Sequence, residues 1–294
     1  MRKAVIAIGS NSTRLLVADP GEALTNRYLG RAETRLFMGL DKGGVLREDA
    51  MERTVRALCA MRLEAELRGA EEITLLATSA TRDAANASDF ERMILERSGL
   101  KLRVIPGEEE ASYAFRAAAG RENCAVADIG GGSTEYSLGN GGFQQFGRST
   151  QMGASRLLKI MDIRCRKDAD AATGIARETL RDAADALNRL PRADKLVGMG
   201  GTCTTAVSIE QGSLFSGDDA EDVPLELTAV REQLYMLADM TPEERRAVPG
   251  LPESRVLHMP HGLCILIATM ELLGFDRINA TGRTILDGYL MTAG

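Results

Sequence analysis

The chain has 294 residues, which is enough for about two domains. Hydrophobic residues make up 44% and charged residues 27%, as in a soluble globular protein, so a disordered chain is excluded. The net charge of -6 at neutral pH argues against a protein that binds duplex nucleic acid or coats a membrane, and an anionic ligand must therefore meet positive charge that is concentrated locally.

Short apolar runs alternate with segments of helical periodicity along the chain. Residues 4–8 predict a buried strand that turns at residues 9–12 and returns as a strand over 13–18. The same signals predict strands over 73–77, 102–105, 125–129, 134–138, 195–198 and 278–280. They predict helices over 49–68, 108–119 (ending at Gly120), 168–190, from about residue 228, 262–273 and 285–291, with a loop over 211–222. This alternation indicates an α/β protein.

The cysteine pattern and the absence of a long apolar segment predict the compartment. The five cysteines are widely spaced and include no Cys-x-x-Cys pair, which favours a reducing cytoplasm over a disulfide framework or a structural zinc site. The first residues lack the features of a signal peptide. The most apolar segment, residues 262–270, is far shorter than the roughly 20 residues that span a bilayer. We expect a cytoplasmic protein without a membrane-spanning segment.

An internal repeat is the most informative feature of the sequence. Residues 7–14 and 128–135 match at four of eight positions. The matched pairs are Ile8 with Ile129, Gly9 with Gly130, Ser12 with Ser133, and Thr13 with Thr134. Two such strand–turn–strand units predict two similar domains that face each other across a cleft. The alternative is a chance match between two turns rich in glycine and serine.

Three turns of small residues, at 9–12, 130–133 and 200–202, each follow a predicted strand. Small residues let backbone N–H groups approach an anion closely, which is how proteins cradle phosphate groups. One such turn is weak support for a phosphate site. Three of them favour a ligand that carries several phosphates.

Carboxylates accompany these turns. Asp128 and Glu135 flank the second turn, and hard oxygen ligands of this kind suit Mg²⁺, which keeps several waters and bridges to substrate phosphates. The alternative is that Asp128 caps the turn and Glu135 is solvated. Glu110 is the last of three acids that open a predicted helix, where it could orient a water for attack on phosphorus. The helix macrodipole explains acids at this place equally well.

Four arginines stand beside small or turn residues and are suited to phosphate binding. They are Arg14, Arg82, Arg156 and Arg283. Each taken alone is better explained as an ordinary surface arginine.

These motifs together resemble those of the exopolyphosphatase and guanosine pentaphosphate phosphatase (Ppx/GppA) family. The resembling segments are residues 8–17, 34–36, 77–84, 105–111, 126–135, 152–157, 198–202 and 262–288. The resemblance implies the short form of the family, an α/β protein of two actin-like (ribonuclease H-like) domains with a phosphate-binding cleft between them. The domains would be residues 1–119 and 120–283, with a C-terminal helix at about 284–294 packing back on the first.

The resemblance also implies roles for individual residues. Glu110 would activate the attacking water, and Asp128 and Glu135 would organise Mg²⁺. The phosphate-binding residues would be Ser10, Asn11, Ser12, Arg82, Gly130, Gly131, Gly132, Ser133, Gly200, Gly201 and Thr202. The reaction implied is hydrolysis of the terminal phosphoanhydride of inorganic polyphosphate, or of pppGpp to ppGpp. Such hydrolysis depends on positioning and charge neutralisation more than on covalent chemistry.

One position departs from the family. The first phosphate turn of the family usually carries an aspartate where this chain has Ala7, and the internal repeat pairs Ala7 with Asp128. A catalytically weak protein that binds ppGpp or polyphosphate is therefore the alternative to a hydrolase, and a sugar or acid kinase of the same fold is a third hypothesis. A homodimer is expected only because it is the commonest soluble assembly.

Overall fold

A computed structural model describes residues 1–21, 23–119, 122–215 and 222–292 of the chain. They form two compact units, Met1–Tyr113 with Ile285–Gly294, and Ala114–Thr284. The helix end predicted at Gly120 and part of the loop predicted over 211–222 lie outside the described residues, and the predicted domain boundary at 119/120 adjoins the same gap. Within the described ranges, no helix combines the length and apolar character needed to cross a membrane.

The first unit is built on a five-stranded sheet with the order β3-β2-β1-β4-β5. Its strands are β1 (Lys3–Ile8), β2 (Thr13–Asp19), β3 (Thr25–Ala32), β4 (Glu72–Ala77) and β5 (Leu102–Val104). Strands β1, β2 and β3 are antiparallel, whereas β1, β4 and β5 run parallel. The core is the apolar face of this sheet covered by helix α1 (Glu48–Leu67), which buries Val55 and Leu58.

Short helices complete the first unit. They are a 3₁₀ turn at Phe37–Gly39, α2 (Ser79–Arg82), α3 (Ala87–Ser98) and α4 (Gly107–Ala119), which begins in this unit. Helix α11 (Ile285–Leu290) belongs to it as well and packs against β1 and β2.

The second unit is built on a six-stranded sheet with the order β10-β11-β9-β6-β7-β8. Its strands are β6 (Cys124–Ile129), β7 (Thr134–Asn140), β8 (Phe143–Thr150), β9 (Lys195–Met199), β10 (Val223–Glu226) and β11 (Arg277–Ala280). Its helices are α5 (Ala154–Ile160), α6 (Arg166–Asn188), α7 (Gly200–Gln211), α8 (Leu227–Ala238), α9 (Pro242–Arg245) and α10 (Met259–Leu273), with a 3₁₀ turn at Glu253–Arg255. The apolar helix α10 packs against α6.

The two sheets share one plan. Each has a three-stranded antiparallel meander, β1-β2-β3 or β6-β7-β8, followed in space by parallel strands, β4-β5 or β9-β11. The α/β prediction is confirmed, and the repeat read from eight residues extends to five strands of each sheet, with β10 as an addition in the second unit.

The predicted elements are present, but several others lack a sequence signal. Strands β3 and β8 are edge strands with many partly exposed positions, so neither contains a continuous apolar run. Helix α3 buries only Phe90, Ile94 and Ser98. The turn predicted at 200–202 is wrong, because helix α7 begins at Gly200.

Candidate active site

The two predicted phosphate turns have the same backbone hydrogen bond at their base. In the first, the Gly9 amide donates to the Ser12 carbonyl at 3.0 Å, and in the second the Gly130 amide donates to the Ser133 carbonyl at 3.0 Å. In both, a Cβ on the glycine would lie close to that carbonyl oxygen, at 2.9 and 3.1 Å. The backbone of the repeat is therefore the same in both turns, and a side chain at Gly9 or Gly130 would crowd the carbonyl oxygen at the base of the turn.

The carbonyl groups of the second turn face its supporting segment. The Gly131 carbonyl accepts from the Ser155 amide at 2.8 Å, and the Gly132 carbonyl accepts from Arg156 Nε at 2.7 Å. In a planar trans peptide the C=O and the following N–H point in opposite directions. The amides of Gly132 and Ser133 consequently point away from this support, and among the described residues neither donates to an acceptor.

Gly153 makes this arrangement sterically feasible. A Cβ at Gly153 would lie 2.5 Å from both the Gly131 carbonyl carbon and the Gly132 nitrogen. The segment that begins α5 is thus in direct backbone contact with the turn. Any larger residue at this position would push the turn out of place.

The first turn is supported in the same way by the segment that leads into the 3₁₀ turn and by the first residue of that turn. The Ser10 carbonyl accepts from the Phe37 amide at 2.9 Å, and the Asn11 carbonyl accepts from the Arg35 amide at 2.8 Å. The amides of Asn11 and Ser12 therefore point away from this support. The Asn11 side-chain amide donates to Glu33 at 2.9 Å, so the backbone of Asn11, more than its side-chain nitrogen, is positioned for an anion.

Asp128 and Glu135 lie directly opposite each other in the antiparallel pair β6–β7. Directly paired residues project from the same face of a sheet, so the two carboxylates share one side. Glu135 is buried, and its Oε1 accepts from Ser149 Oγ at 2.7 Å. The Asp128 carboxylate lies against the start of α7, because a Cβ at Gly200 would be 2.7 Å from Asp128 Oδ1.

This pair of carboxylates suits Mg²⁺ by its chemistry. Mg²⁺ is commonly held by one or two carboxylates together with waters and substrate phosphates. Within the described ranges no group of three or more His, Cys, Asp or Glu side chains is placed to hold a metal ion, so a cage made only of protein ligands is absent there. Two carboxylates on one sheet face match the sparse ligand set that Mg²⁺ accepts.

The equivalent positions in the first unit carry different residues. Ala7 lies opposite Arg14 in β1–β2, where the second unit has Asp128 opposite Glu135. The sequence departure at Ala7 therefore lies at the register position that Asp128 occupies in the second unit.

Glu110 is the buried member of the three acids that open α4. Glu108 is exposed, and Glu109 accepts from Tyr113 and Arg103. Glu110 Oε2 accepts from Arg82 Nη1 at 2.8 Å. The two side chains form an ion pair in which Arg82 is 16% and Glu110 is 9% exposed.

Arg82 itself lies in a defined position. Its Nη1 also donates to the Ile105 carbonyl at 2.8 Å, while its buried Nη2 has no hydrogen-bond partner among the described residues. A buried guanidinium nitrogen without a partner is costly. An anion bound at Nη2 would satisfy it.

Gly200, Gly201 and Thr202 form the first turn of α7 and not a loop. Gly200 has φ +85°, which favours glycine, and a Cβ at Gly201 would overlap the guanidinium of Arg255. Thr202 is buried against Gly262. Close packing thus explains a helix that starts with two poor helix formers. The first amides of a helix lack intrahelical partners and are still able to bind an anion.

Sequence reasoning missed three residues that shape the site. Ser149, Gly153 and Arg255 contact Glu135, the second turn and Gly201, respectively. Only Gly153 lies in a motif, and nothing local distinguishes the other two. Of the arginines singled out, Arg156 supports the second turn, whereas Arg283 donates to the Ala117 carbonyl and takes no part in the arrangements described above.

Comparison with known proteins identifies the family. The model of the Ppx/GppA phosphatase family matches residues 28–293. The chain belongs to the Ppx/GppA phosphatase family. The resemblance inferred from the motifs is confirmed, and with it the assignment to a family of hydrolases.

Two curated relatives illustrate the range of the family. A guanosine-5'-triphosphate,3'-diphosphate pyrophosphatase of Vibrio vulnificus is 31% identical over 97% of this chain, but the chain spans only 58% of that relative's length. Exopolyphosphatase 2 of Mycobacterium tuberculosis is 30% identical over 99% of this chain and 98% of its own length. The match therefore spans nearly all of the exopolyphosphatase but little more than half of the pyrophosphatase.

Solved structures confirm the fold. A Ppx/GppA family member of Aquifex aeolicus is 25% identical, with a TM-score of 0.82, and the match covers 100% of this chain and 97% of that one. An exopolyphosphatase of Cytophaga hutchinsonii is 24% identical with a TM-score of 0.89 over 100% and 97% of the two chains, which shows likeness of fold alone. The predicted Ppx/GppA architecture of actin-like domains is confirmed.

Proposed function

We propose that this protein is a Mg²⁺-dependent hydrolase of terminal phosphoanhydride bonds, acting on inorganic polyphosphate or on pppGpp. The observation that carries the proposal is the backbone of the two repeated turns. In each turn, hydrogen bonds to the carbonyls direct the following amides away from the support, as a phosphate cradle requires. Because the chain belongs to a phosphatase family, hydrolysis of a bound phosphate is the reaction that these turns would support.

Glu110 is proposed to activate the attacking water. Its carboxylate would accept a proton as the water oxygen bonds to the terminal phosphorus, while the bond from phosphorus to the bridging oxygen breaks. The released products would be orthophosphate and a chain shortened by one phosphate. Arg82 holds Glu110 through Nη1 and has Nη2 available for a phosphate oxygen.

Asp128 and Glu135 are proposed to hold the metal. Bound Mg²⁺ would neutralise charge on the phosphate chain. Ser10, Asn11, Ser12, Gly130, Gly131, Gly132 and Ser133 would bind phosphates mainly through their backbone amides. Gly200, Gly201 and Thr202 would add the N-terminus of α7.

The substrate is the first point to test. The relative whose length this chain matches is named exopolyphosphatase 2, whereas the longer relative is named for a guanosine nucleotide. Orthophosphate release should be measured with Mg²⁺ from long-chain polyphosphate and from pppGpp in parallel. The exposed acid of the same helical turn provides a matched control: Glu110→Gln should abolish release, and Glu108→Gln should leave it unchanged.

A binding protein without strong catalysis is the second candidate, and Ala7 is the observation that favours it. Ala7 occupies the register position where the second unit has Asp128. If wild-type protein binds polyphosphate or ppGpp tightly but releases no orthophosphate, this candidate replaces the hydrolase. Phosphate transfer that requires ATP and a small alcohol would instead indicate a kinase of this fold.

Location and assembly are further proposals. The cysteine pattern favours the cytoplasm, which fractionation of the producing cells would test. A homodimer is the expected assembly, and light scattering on the purified protein would show a monomeric mass if that expectation is wrong.

A further inference from the structure

Ser149 lies in one row with the two proposed metal ligands. Strand β7 lies between β6 and β8 in the sheet. Glu135 is paired directly with Asp128 on one side and with Ser149 on the other. Directly paired residues on neighbouring strands project from the same face, so the three side chains line one face of the sheet side by side.

The contact between Ser149 and Glu135 is a specific hydrogen bond. Ser149 Oγ lies 2.7 Å from Glu135 Oε1, the usual length for a hydroxyl that donates to a carboxylate. Glu135 is only 2% exposed. Because a buried carboxylate must be hydrogen-bonded, this hydroxyl is one of the groups that fix where the carboxylate lies.

The same segment of chain supports the second phosphate turn. The Met152 amide donates to the Thr150 carbonyl at 2.7 Å, and Thr134 Oγ1 donates to the Met152 carbonyl at 2.6 Å. These bonds fix the chain directly after Ser149, and Gly153 then makes its contact with the turn. The end of β8 and the start of α5 thus hold a carboxylate and a phosphate turn with one short stretch of backbone.

We propose that Ser149 is a positioning residue that orients Glu135 for binding a divalent cation. The proposal rests on the proposed function of Asp128 and Glu135 as Mg²⁺ ligands. A glutamate on a strand has several rotatable bonds, and a fixed hydrogen bond to Oε1 selects the conformer that presents the carboxylate beside Asp128. Outer partners of metal ligands typically affect metal affinity by about 10- to 100-fold.

The chain offers a matched control for this role. Ser137 is on the same strand as Glu135 and is buried, but its hydroxyl has no hydrogen-bond partner among the described residues. Ser137→Ala removes a buried hydroxyl without removing a hydrogen bond. Ser149→Ala removes a hydroxyl together with its bond to Glu135, and Ser149→Thr keeps the hydroxyl.

The test is direct titration of the substrate-free full chain with Mg²⁺ by calorimetry, repeated with Mn²⁺ as a spectroscopic probe. Ser149→Ala should weaken binding of either cation by about tenfold or more. Ser149→Thr should retain most of the affinity, and Ser137→Ala all of it.

Glu135→Gln separates failure of this inference from failure of the metal site. If Glu135→Gln weakens cation binding and Ser149→Ala does not, the positioning role is wrong and the metal site stands. If neither variant changes the affinity, or the wild-type chain binds no cation, both are wrong. An equal loss in Ser137→Ala and Ser149→Ala would show a general effect of core disruption and would also overturn the inference.

Discussion

Asp128 and Glu135 face each other across β6 and β7, at the register positions that Ala7 and Arg14 occupy in β1 and β2. The two hairpins share their turn but differ in charge: one presents two carboxylates and the other a single guanidinium. The two units therefore share the backbone of this hairpin but carry different side chains at the paired positions.

Ala7→Asp tests what this change does to the rate. The new carboxylate would lie opposite Arg14, which compensates part of the cost of burying it. We expect kcat for phosphate release to rise by about 100-fold, the lower end for a well-placed acid or base, with KM unchanged or higher because of repulsion from the anionic substrate. Initial rates at saturating Mg²⁺ would measure both. A lower kcat in the variant would show that Ala7 is the better residue in this site.

Gly153→Ala tests the close contact beneath the second turn. Its methyl group would meet the backbone of Gly131 and Gly132 at 2.5 Å, so we expect a loss of about 1–3 kcal/mol in the free energy of unfolding and weaker phosphate binding. Gly174→Ala is the control, because a Cβ there meets nothing within 4 Å in helix α6. That substitution should stabilise the protein by roughly 0.5–1 kcal/mol. Urea unfolding would measure the stability of both variants. Equal free energies of unfolding for Gly153→Ala and Gly174→Ala would contradict the close contact at Gly153.

Within the first unit, the ion pair between Arg27 and Asp287 links α11 to strand β3. Arg27 Nη2 lies 2.5 Å from Asp287 Oδ1, and the Asp287 side chain is 2% exposed while that of Arg27 is 22% exposed. Asp287→Leu should cost about 3 kcal/mol of unfolding free energy, the lower end for a broken buried pair, since Arg27 retains some contact with water. Adding Arg27→Leu should recover much of this loss. Additive losses in the double variant would show that the two residues do not interact.

His261 predicts a pH dependence of stability in the second unit. It is 1% exposed, its Nε2 lies 2.8 Å from the Met161 carbonyl, and Arg245 and Asp162 are its charged neighbours. Burial lowers the pKa of this histidine below its ordinary value.

The unfolded chain consequently binds the proton more readily than the folded one. Stability contributed by neutral His261 is complete above pH of about 6.5 and falls as the pH is lowered, by at most about 1.4 kcal/mol per pH unit. Thermal unfolding between pH 7.5 and 5 should show a shallower slope for His261→Gln than for wild type. Equal slopes would show that His261 does not cause the pH dependence.

The parts of the fold that could be predicted are those with a local cause. Strands β1 and β6 end in glycine turns, and α1 has a regular apolar stripe. These local patterns are enough to predict the three elements from the sequence. Edge strands β3 and β8 have no such pattern, because each pairs on one side only and stays partly exposed. The glycines at the start of α7 indicate a turn when the sequence is considered alone. The structure uses Gly201 to leave room for the guanidinium of Arg255, which comes from a distant segment of the chain.

The residues of the candidate site divide in the same way, into those that stand in a local motif and those that a distant segment places. Glu110, Asp128 and Glu135 stand in recognisable motifs, and the structure adds the partners Arg82 and Ser149. Ser149 lacked any signal because its register against Glu135 depends on the hairpin β7–β8, which contains an irregularity at Leu138/Gly139. One residue more or less in that hairpin would turn Ser149 to the opposite face. Pairing of this kind is decided by the folded sheet and not by neighbouring residues.

Helix α11 has a consequence for the order in which the protein can fold. Its residues follow the whole second unit in the chain, yet they are buried in the first, with Gly288 pressed against the Tyr113 backbone. During synthesis the surface of the first unit beneath α11 therefore stays uncovered until the second unit has left the ribosome. A nascent chain paused before Ile285 should accordingly present a protease-sensitive N-terminal half beside a C-terminal half that has already folded.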